Sequence, residues 1–194
     1  GYVAPDLTIL NDIVTKSGVN DMAYQQEPDS ILWCVRDDGV FAGLTYQRSE
    51  NVIAWHRHKL GGTFGTGASA TGFGVVESVA TISGELTEDE LYVIVKRTIN
   101  GATKRYVECF APFDFDETVS TDFRFLDSHL IYSGSSTTTL SGLSHLEGQV
   151  VSILADGATH ADKTVSSGSI TLDRSVTSAV VGLKYDSVLQ TMRV

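Results

Sequence analysis

Short apolar runs and alternating apolar and polar positions fill most of the chain, a pattern that is typical of β-strands. Clear examples are ILWCVR over residues 31–36, VFAGLTY over 40–46 and LYVIVKR over 91–97. A helical period occurs only near the start, in APDLTILNDIVTKSG over 4–18. The pattern therefore predicts an all-β protein, mainly of antiparallel meanders, with one short N-terminal helix.

The predicted helix depends on a few residues with defined roles. Asp6 is a suitable N-cap, Leu7, Leu10 and Val14 recur at helical spacing, and Gly18 is a suitable stop. The helix would be about three turns long.

Turn sequences divide the rest of the chain into hairpins. Asp37–Gly39 (DDG) separates the first two strands, NVIAWHRH over 51–58 supplies a third, and Asn100-Gly101 is a type I′ hairpin sequence. Residues 31–58 and 75–110 are thus predicted as two successive three-stranded units. Each has the size of a propeller blade or of a meander in a β-sandwich.

Three regions follow from these boundaries. We predict an N-terminal helix over 1–20, a β-meander domain over 21–132 and a small C-terminal β-module over 133–194. The module includes GQVVSILADG, which ends in the turn pair Asp156-Gly157. Within the meander domain, the glycine-rich residues 61–74 are predicted to be a flexible loop or a mobile hairpin tip.

Composition narrows the classes of function. The formal net charge of −10 disfavours non-specific nucleic-acid binding, because an acidic surface is repelled by phosphates. The nearest approach to a basic patch is the set Arg97, Lys104 and Arg105, which is mixed with glutamates. The sequence has no run of about 20 apolar residues of the kind that spans a bilayer.

His56 and His58 are the first candidates for chemistry. Residues two apart in a strand share a face, so this pair is a candidate for part of a metal site or an acid/base pair. A metal site would need further ligands from other strands, and the remaining histidines lie in no known metal motif: His129, His145 and His160. The simpler interpretation is a pair of imidazoles near the end of a structural strand.

That interpretation also assigns the two faces of the strand. Trp55 and Arg57 alternate with the histidines, so they lie on the opposite face. We expect Trp55 to pack into the core of the sheet and Arg57 to extend along its margin.

The carboxylates and cysteines have structural explanations too. Asp37 and Asp38 suit a turn, and the acidic loop is interpreted as a solvated face: Glu85, Glu88, Asp89 and Glu90. DFDE over 114–117 lacks the spacing and glycine of a calcium loop. Cys34 and Cys109 lie in apolar runs and are predicted to be buried, reduced thiols, although a disulfide between them stays open.

Motifs for enzymatic chemistry are missing from the sequence. It has no GxSxG, no P-loop and no dinucleotide fingerprint. A glycosidase pair of facing carboxylates is the enzymatic alternative that a β-fold leaves open. We predict that the protein is not an enzyme, with no catalytic, cofactor-binding or metal-binding residues and no cofactor.

Three segments carry a resemblance to a known family. DMAYQQEPDSILWCVRDDGVFAGLTYQRSENVIAWHRH (21–58), ELYVIVKRTINGATKRYVECF (90–110) and GLSHLEGQVVSILADGATH (142–160) resemble the tail nozzle proteins of short-tailed bacteriophages. These proteins are also called tail tubular protein B or stabilisation proteins. The resemblance extends from about Asp21 to Val194 and marks the chain as similar to the C-terminal portion of such a protein.

The resemblance implies a virion structural protein, made in the bacterial cytoplasm and located in the phage tail. Its expected partners are further copies in a ring, commonly six-fold, the portal and adaptor proteins, and tail fibres or spikes. DNA would pass through the channel of the ring as transient cargo during ejection. No membrane segment is expected.

A function of another class is the alternative. A carbohydrate-binding or polysaccharide-depolymerising β-domain of a host-recognition protein would stack sugars on aromatic rings, and Trp33, Trp55 and Tyr92 are the candidates. Burial of both tryptophans would count against such a platform. Two or more aromatic rings along an open groove would favour it.

Overall fold

A computed structural model describes residues 5–9, 11–84, 88–111 and 123–189 of the chain. Within these residues the fold is built from antiparallel strands, as the alternation predicts. The strands are β1 (Val19–Gln25), β2 (Ile31–Arg36), β3 (Phe41–Gln47), β4 (Val52–His58), β5 (Val75–Ser83), β6 (Asp89–Ile99), β7 (Ala102–Cys109), β8 (Asp127–Ser141), β9 (Val150–Ala155), β10 (Ala158–Thr164) and β11 (Ser169–Leu183). The described helices are short 3₁₀ turns: Asp12–Thr15, Arg48–Glu50, Gly67–Ser69 and Ser144–Leu146.

The predicted N-terminal helix is wrong. The carboxylate of Asp6 accepts hydrogen bonds from the backbone N–H and the hydroxyl of Thr8, which closes a local turn in place of helix. Asn11 then has φ −153° and ψ 61°, outside the helical region, so only Asp12–Thr15 form a short 3₁₀ turn. Leu10, one of the residues on which the helix was predicted, lies outside the described residues.

The chain folds as two compact units. Unit 1 comprises Gly1–Arg97 and Thr103–Phe113, and unit 2 comprises Thr98–Ala102 and Asp114–Val194. The predicted boundary at residue 133 falls inside β8, which runs from Asp127 to Ser141.

Unit 1 holds two antiparallel sheets, in the orders β1-β2-β3-β4 and β5-β6-β7. Strand β1 precedes the three strands that the sequence pattern predicts and joins them at the edge beside β2. The two sheets bury one shared apolar cluster, which makes the unit sandwich-like: Trp33, Val35, Phe41, Leu60, Val76, Val79, Leu91, Val93 and Val95. Both sheets are antiparallel meanders with their strands in chain order, as predicted.

The β2–β3 and β6–β7 turns follow the predicted sequences. Gly39 has φ +78° in a three-residue loop, where the N–H of Arg36 donates to Val40 and the N–H of Gly39 donates to Arg36. Asn100 and Gly101 both have positive φ, +47° and +73°, as a type I′ turn requires. Both predicted hairpins are confirmed.

The glycine-rich residues 61–74 connect β4 to β5 within unit 1. Gly74 donates its N–H to Leu60, and Thr71 exchanges hydrogen bonds with the backbone of Phe64. The ammonium of Lys96 lies 4.4 Å from the centre of the Phe64 ring, a cation–π distance. These contacts connect the two ends of the segment and join it to β6.

Unit 2 is a single antiparallel sheet in the order β10-β9-β11-β8, which confirms β-structure in the predicted C-terminal module. Asp156 and Gly157 form its β9–β10 turn, with φ +47° and +76°. The carboxylate of Asp156 also accepts the N–H groups of Thr177 and Ser178 and pairs with Arg174. These hydrogen bonds, with that of Ser178 the strongest, hold the pKa of Asp156 below its usual value.

Candidate functional site

The two histidines lie on the inner face of the first sheet. Strand β4 pairs with β3 so that His56 is opposite Gly43 and His58 is opposite Phe41. On its other side, β3 pairs with β2, and there Trp33 is opposite Gly43. The histidines therefore face the shared core of unit 1, and both are partly buried.

The histidine rings contact each other and an aromatic cluster. Nδ1 of His56 lies 2.7 Å from Nε2 of His58, so one ring donates its N–H to the lone pair of the other. The Trp33 ring lies 5.6 Å from His56, edge to face, and 5.3 Å from His58. Trp33 also stacks on Phe41 at 4.8 Å and packs against Phe110.

Burial of the pair disfavours its charged form. Loss of water lowers the pKa of His56 below its usual 6.5. Burial first, and the neighbouring His56 second, lower the pKa of His58 to about 4. Both rings are therefore neutral at pH 7, and the pair has the chemistry of a packed, hydrogen-bonded aromatic contact.

Gly43 makes the space for this arrangement. A Cβ built at Gly43 would lie 2.2 Å from Cε1 of His56, closer than any real contact. Gly43 does not have a positive φ, so its backbone conformation would accept another residue. It is the ring of His56 that excludes a larger side chain. The imidazole fills the place where a side chain would otherwise stand, as aromatic residues do over glycines in sheets.

Gly43→Ala should therefore lower the free energy of unfolding of unit 1 by about 1–3 kcal/mol, because the core must shift to admit one methyl group. Urea unfolding followed by tryptophan fluorescence measures this loss. In a double-mutant cycle, the Gly43→Ala change should cost clearly less in a His56→Ala background. Equal losses in both backgrounds would show that His56 is not what occupies the space.

Trp55 occupies the other face of β4, so the predicted separation of Trp55 from the histidines is confirmed. As expected, its face packs against a hydrophobic core cluster, although the larger cluster of unit 1 lies on the histidine side. Trp55 is half-buried against a smaller cluster of Val14, Cys34 and Ala42, and its indole N–H donates to the carbonyl of Leu7 at 2.9 Å. Arg57 is exposed.

Arg97 and Glu108 form a second polar centre, which sequence reasoning missed. Arg97 is 0% exposed, and its two terminal nitrogens both bind the carboxylate of Glu108. Its Nε donates to the carbonyl of Gly61 at 2.7 Å. The pair thus joins β6, β7 and the glycine-rich connection, and every guanidinium nitrogen has a partner.

The basic residues do not form a patch. Arg97 is buried, Lys104 is exposed, and Arg105 pairs with Glu77 on the opposite face of the sheet from Arg97. Lys104 and Arg105 are neighbours in β7 and therefore point to opposite faces of the sheet.

The acidic residues have structural roles at two positions. Asp38 accepts the N–H of Val40 and pairs with Arg36, as expected of a turn. Asp89 was expected on a solvated face, but it is half-buried, and its carboxylate accepts the backbone N–H groups of Gln26 and Glu27. Glu88 and Glu90 are exposed, while Glu85 and residues 114–117 lie outside the described residues.

Both cysteines are free thiols. Cys34 is buried as predicted, and burial raises the pKa of its thiol. The predicted burial of Cys109 is wrong, because β7 is an edge strand and Cys109 lies on its exposed face. Among the described residues, no group of three or more His, Cys, Asp or Glu side chains is placed to hold a metal ion.

The proposed sugar-stacking residues are not arranged as a platform. Trp33 is buried, Trp55 is half-buried, and the hydroxyl of Tyr92 donates to Glu90 at 2.6 Å. A shallow polar groove of about 400 Å³ does lie in unit 1, lined by Tyr24, Gln26, Glu27, Thr81, Ser83 and Asp89. Tyr24 is the one aromatic residue among those that line the groove. A sugar-binding platform was expected to have at least two aromatic rings along an open groove.

No protein-family model matches the chain, and no curated protein matches it either. None of the helices in the described ranges has the length and apolarity needed to cross a membrane.

Proposed function

We propose that the protein is a structural component of a bacteriophage tail, of the nozzle or tail tube type, and that it performs no catalysis. The observation that carries the proposal is that the polar side chains inside unit 1 bind to other groups of the same chain. His56 and His58, both partly buried, hydrogen-bond to each other against an aromatic cluster, and the fully buried Arg97 is enclosed by Glu108 and Gly61. Groups so enclosed stabilise a scaffold and are not free to act on a substrate.

The resemblance and this geometry support the same role. The three segments that resemble the nozzle family coincide with the β1–β4 sheet, the β6–β7 hairpin and the β9–β10 hairpin of unit 2. In each of them, turn residues and core residues account for the distinctive sequence. The resemblance therefore lies in residues that determine the fold, which suits a protein whose function is assembly.

The proposed assembly is a ring of copies below the portal and adaptor, contacted by tail fibres or spikes on the outside and traversed by DNA. The net charge of −10 supports passage without adhesion, because phosphates have few cations to bind. A channel surface lined with basic residues in the assembled ring would contradict this part of the proposal.

Antibody labelling of purified particles tests the function directly. An antibody against the chain should label the tail below the portal of the virus that encodes it, and mass spectrometry of those particles should detect the chain in constant ratio to the portal protein. Imaging of the full-length protein should show a ring. The chain's absence from particles, or polysaccharide cleavage by the purified protein, would contradict the proposal.

A further inference from the structure

The outer face of the β5–β7 sheet is apolar where an exposed face is normally polar. Strand β6 alternates strictly, with Leu91, Val93 and Val95 buried in the core and the residues between them directed outward. The outward residues in the middle of the three strands form what we call the outer patch: Ala80, Ile82, Tyr92, Ile94, Val107 and Cys109. An antiparallel sheet with one face on the core usually carries polar residues on the other.

Three aliphatic side chains of the patch are open to solvent. Val107 is 71% exposed, Ile82 is 55% exposed and Ile94 is 36% exposed. The two-residue turn at Asn100-Gly101 sets Ile94 beside Val107, so the apolar positions are contiguous across strands. A contiguous exposed apolar patch with a polar rim is characteristic of an interaction surface.

Charges of opposite sign mark the two ends of the outer patch. At one end Lys96 and Arg105 both pair with Glu77, at 2.7 and 2.6 Å, and two cations with one anion leave that end with a net charge of +1. At the other end the exposed Glu90 accepts the hydroxyl of Tyr92 and has no cation partner among the described ion pairs. The patch is therefore apolar in the middle, positive at one end and negative at the other.

We propose that the outer patch pairs with the same patch of a second copy, about a twofold axis that lies across the strands. Such an axis places the positive end of one patch over the negative end of the other, so Arg105 of each copy faces Glu90 of the other. The surface is thus complementary to itself in both charge and hydrophobicity, which is what an isologous contact requires. A patch of six residues buries less than the roughly 800 Å² per partner of a standard interface, so the dimer is weak.

This contact is separate from the proposed ring. Neighbours in a six-fold ring are related head to tail and meet through two different surfaces, whereas this pairing uses one surface twice. The proposed pairing is a property of the free chain, because it covers the apolar outer patch. The dimer and the tail function therefore succeed or fail independently.

Sedimentation and light scattering of the whole chain over a wide concentration range test the pairing. The average mass should rise from the 20.9 kDa of one chain towards that of two. Val107→Lys should raise the concentration of half-dimerisation at least tenfold, because it places a cation in the apolar centre. The matched control Val150→Lys, at a 58% exposed strand position in unit 2, should leave that concentration unchanged.

A charge exchange tests the twofold geometry. Arg105→Glu and Glu90→Lys should each weaken the dimer, because each sets like charges face to face. An equimolar mixture of the two variants should restore it as a mixed dimer, since the two introduced charges then face each other and the native Arg105 faces the native Glu90. The proposal is overturned if the wild-type chain stays at 20.9 kDa. It is also overturned if Val107→Lys and Val150→Lys weaken the dimer equally, or if the mixture of Arg105→Glu and Glu90→Lys stays monomeric.

Discussion

Glu108→Ala should lower the free energy of unfolding of unit 1 by about 3–5 kcal/mol, the cost expected when one partner of a buried ion pair is removed. Arg97 is fully buried, and only Glu108 supplies it with a negative charge among the described ion pairs. Without that carboxylate, two guanidinium nitrogens lose their hydrogen bonds and an uncompensated charge stays inside the protein. Few single changes in this chain should cost as much.

Urea unfolding read by tryptophan fluorescence is the suitable measurement, because both tryptophans of the chain, Trp33 and Trp55, lie in unit 1. Glu77→Ala is the matched control. It removes a carboxylate from the same sheet, but from a surface network in which Arg105 is half-exposed, so it should cost about 1 kcal/mol or less.

The double variant Arg97→Met/Glu108→Leu separates charge from packing. Replacing a buried ion pair by apolar residues of similar volume is often close to neutral. We therefore expect the double variant to recover most of the stability that Glu108→Ala loses. A Glu108→Ala variant no less stable than Glu77→Ala would show that water or another group already compensates Arg97.

The sequence allowed this ion pair to be foreseen, although the prediction did not include it. Leu91, Val93 and Val95 alternate into the core, and the same period places Arg97 inward. The Asn100-Gly101 turn fixes the register of β7, which puts Glu108 on the same face. A charged residue at an inward position requires a partner, and the hairpin supplies one.

Strand β1 was harder to predict for a physical reason. Its inward residues are Asp21, Ala23 and Gln25, so no apolar alternation marks it. These residues face inward because they bind specific partners: Asp21 accepts from Ser78 and Val79, and Gln25 accepts the indole N–H of Trp33. The partners of Asp21 are more than fifty positions away in the chain, and such contacts cannot be read from a local pattern.

The faces of β4 show the same limit. Period two correctly separates Trp55 from the histidines, but it does not tell which face meets the second sheet. That depends on Gly43, which leaves room for an imidazole on the inner side, and on Val14, which covers Trp55 on the outer side. Burial of the histidines is thus a tertiary result, and their altered titration follows from it.

The stability of unit 1 should fall as the pH is lowered from about 6.5 to about 4, and His58 should account for most of this fall. The pKa of His58 is about 4 in the folded chain and near 6.5 when it is exposed, so the unfolded chain binds the proton first. The contribution is fully present above pH 6.5 and is lost through this window. Two and a half pKa units correspond to about 3 kcal/mol.

His58→Phe keeps an aromatic ring against Trp33 and Phe41 but removes the titrating group. Urea unfolding at pH 7, 6, 5 and 4.5 should show a shallower decline for this variant than for the wild type. Thr45→Val, which removes the hydroxyl 3.2 Å from Nε2 of His56 but no proton site, should keep the wild-type slope. Equal slopes for wild type and His58→Phe would mean that water reaches the pair and keeps its pKa near the ordinary value. A shallower slope for His58→Phe alone would establish that the histidines are a buried structural pair, whose neutrality is a condition of the fold.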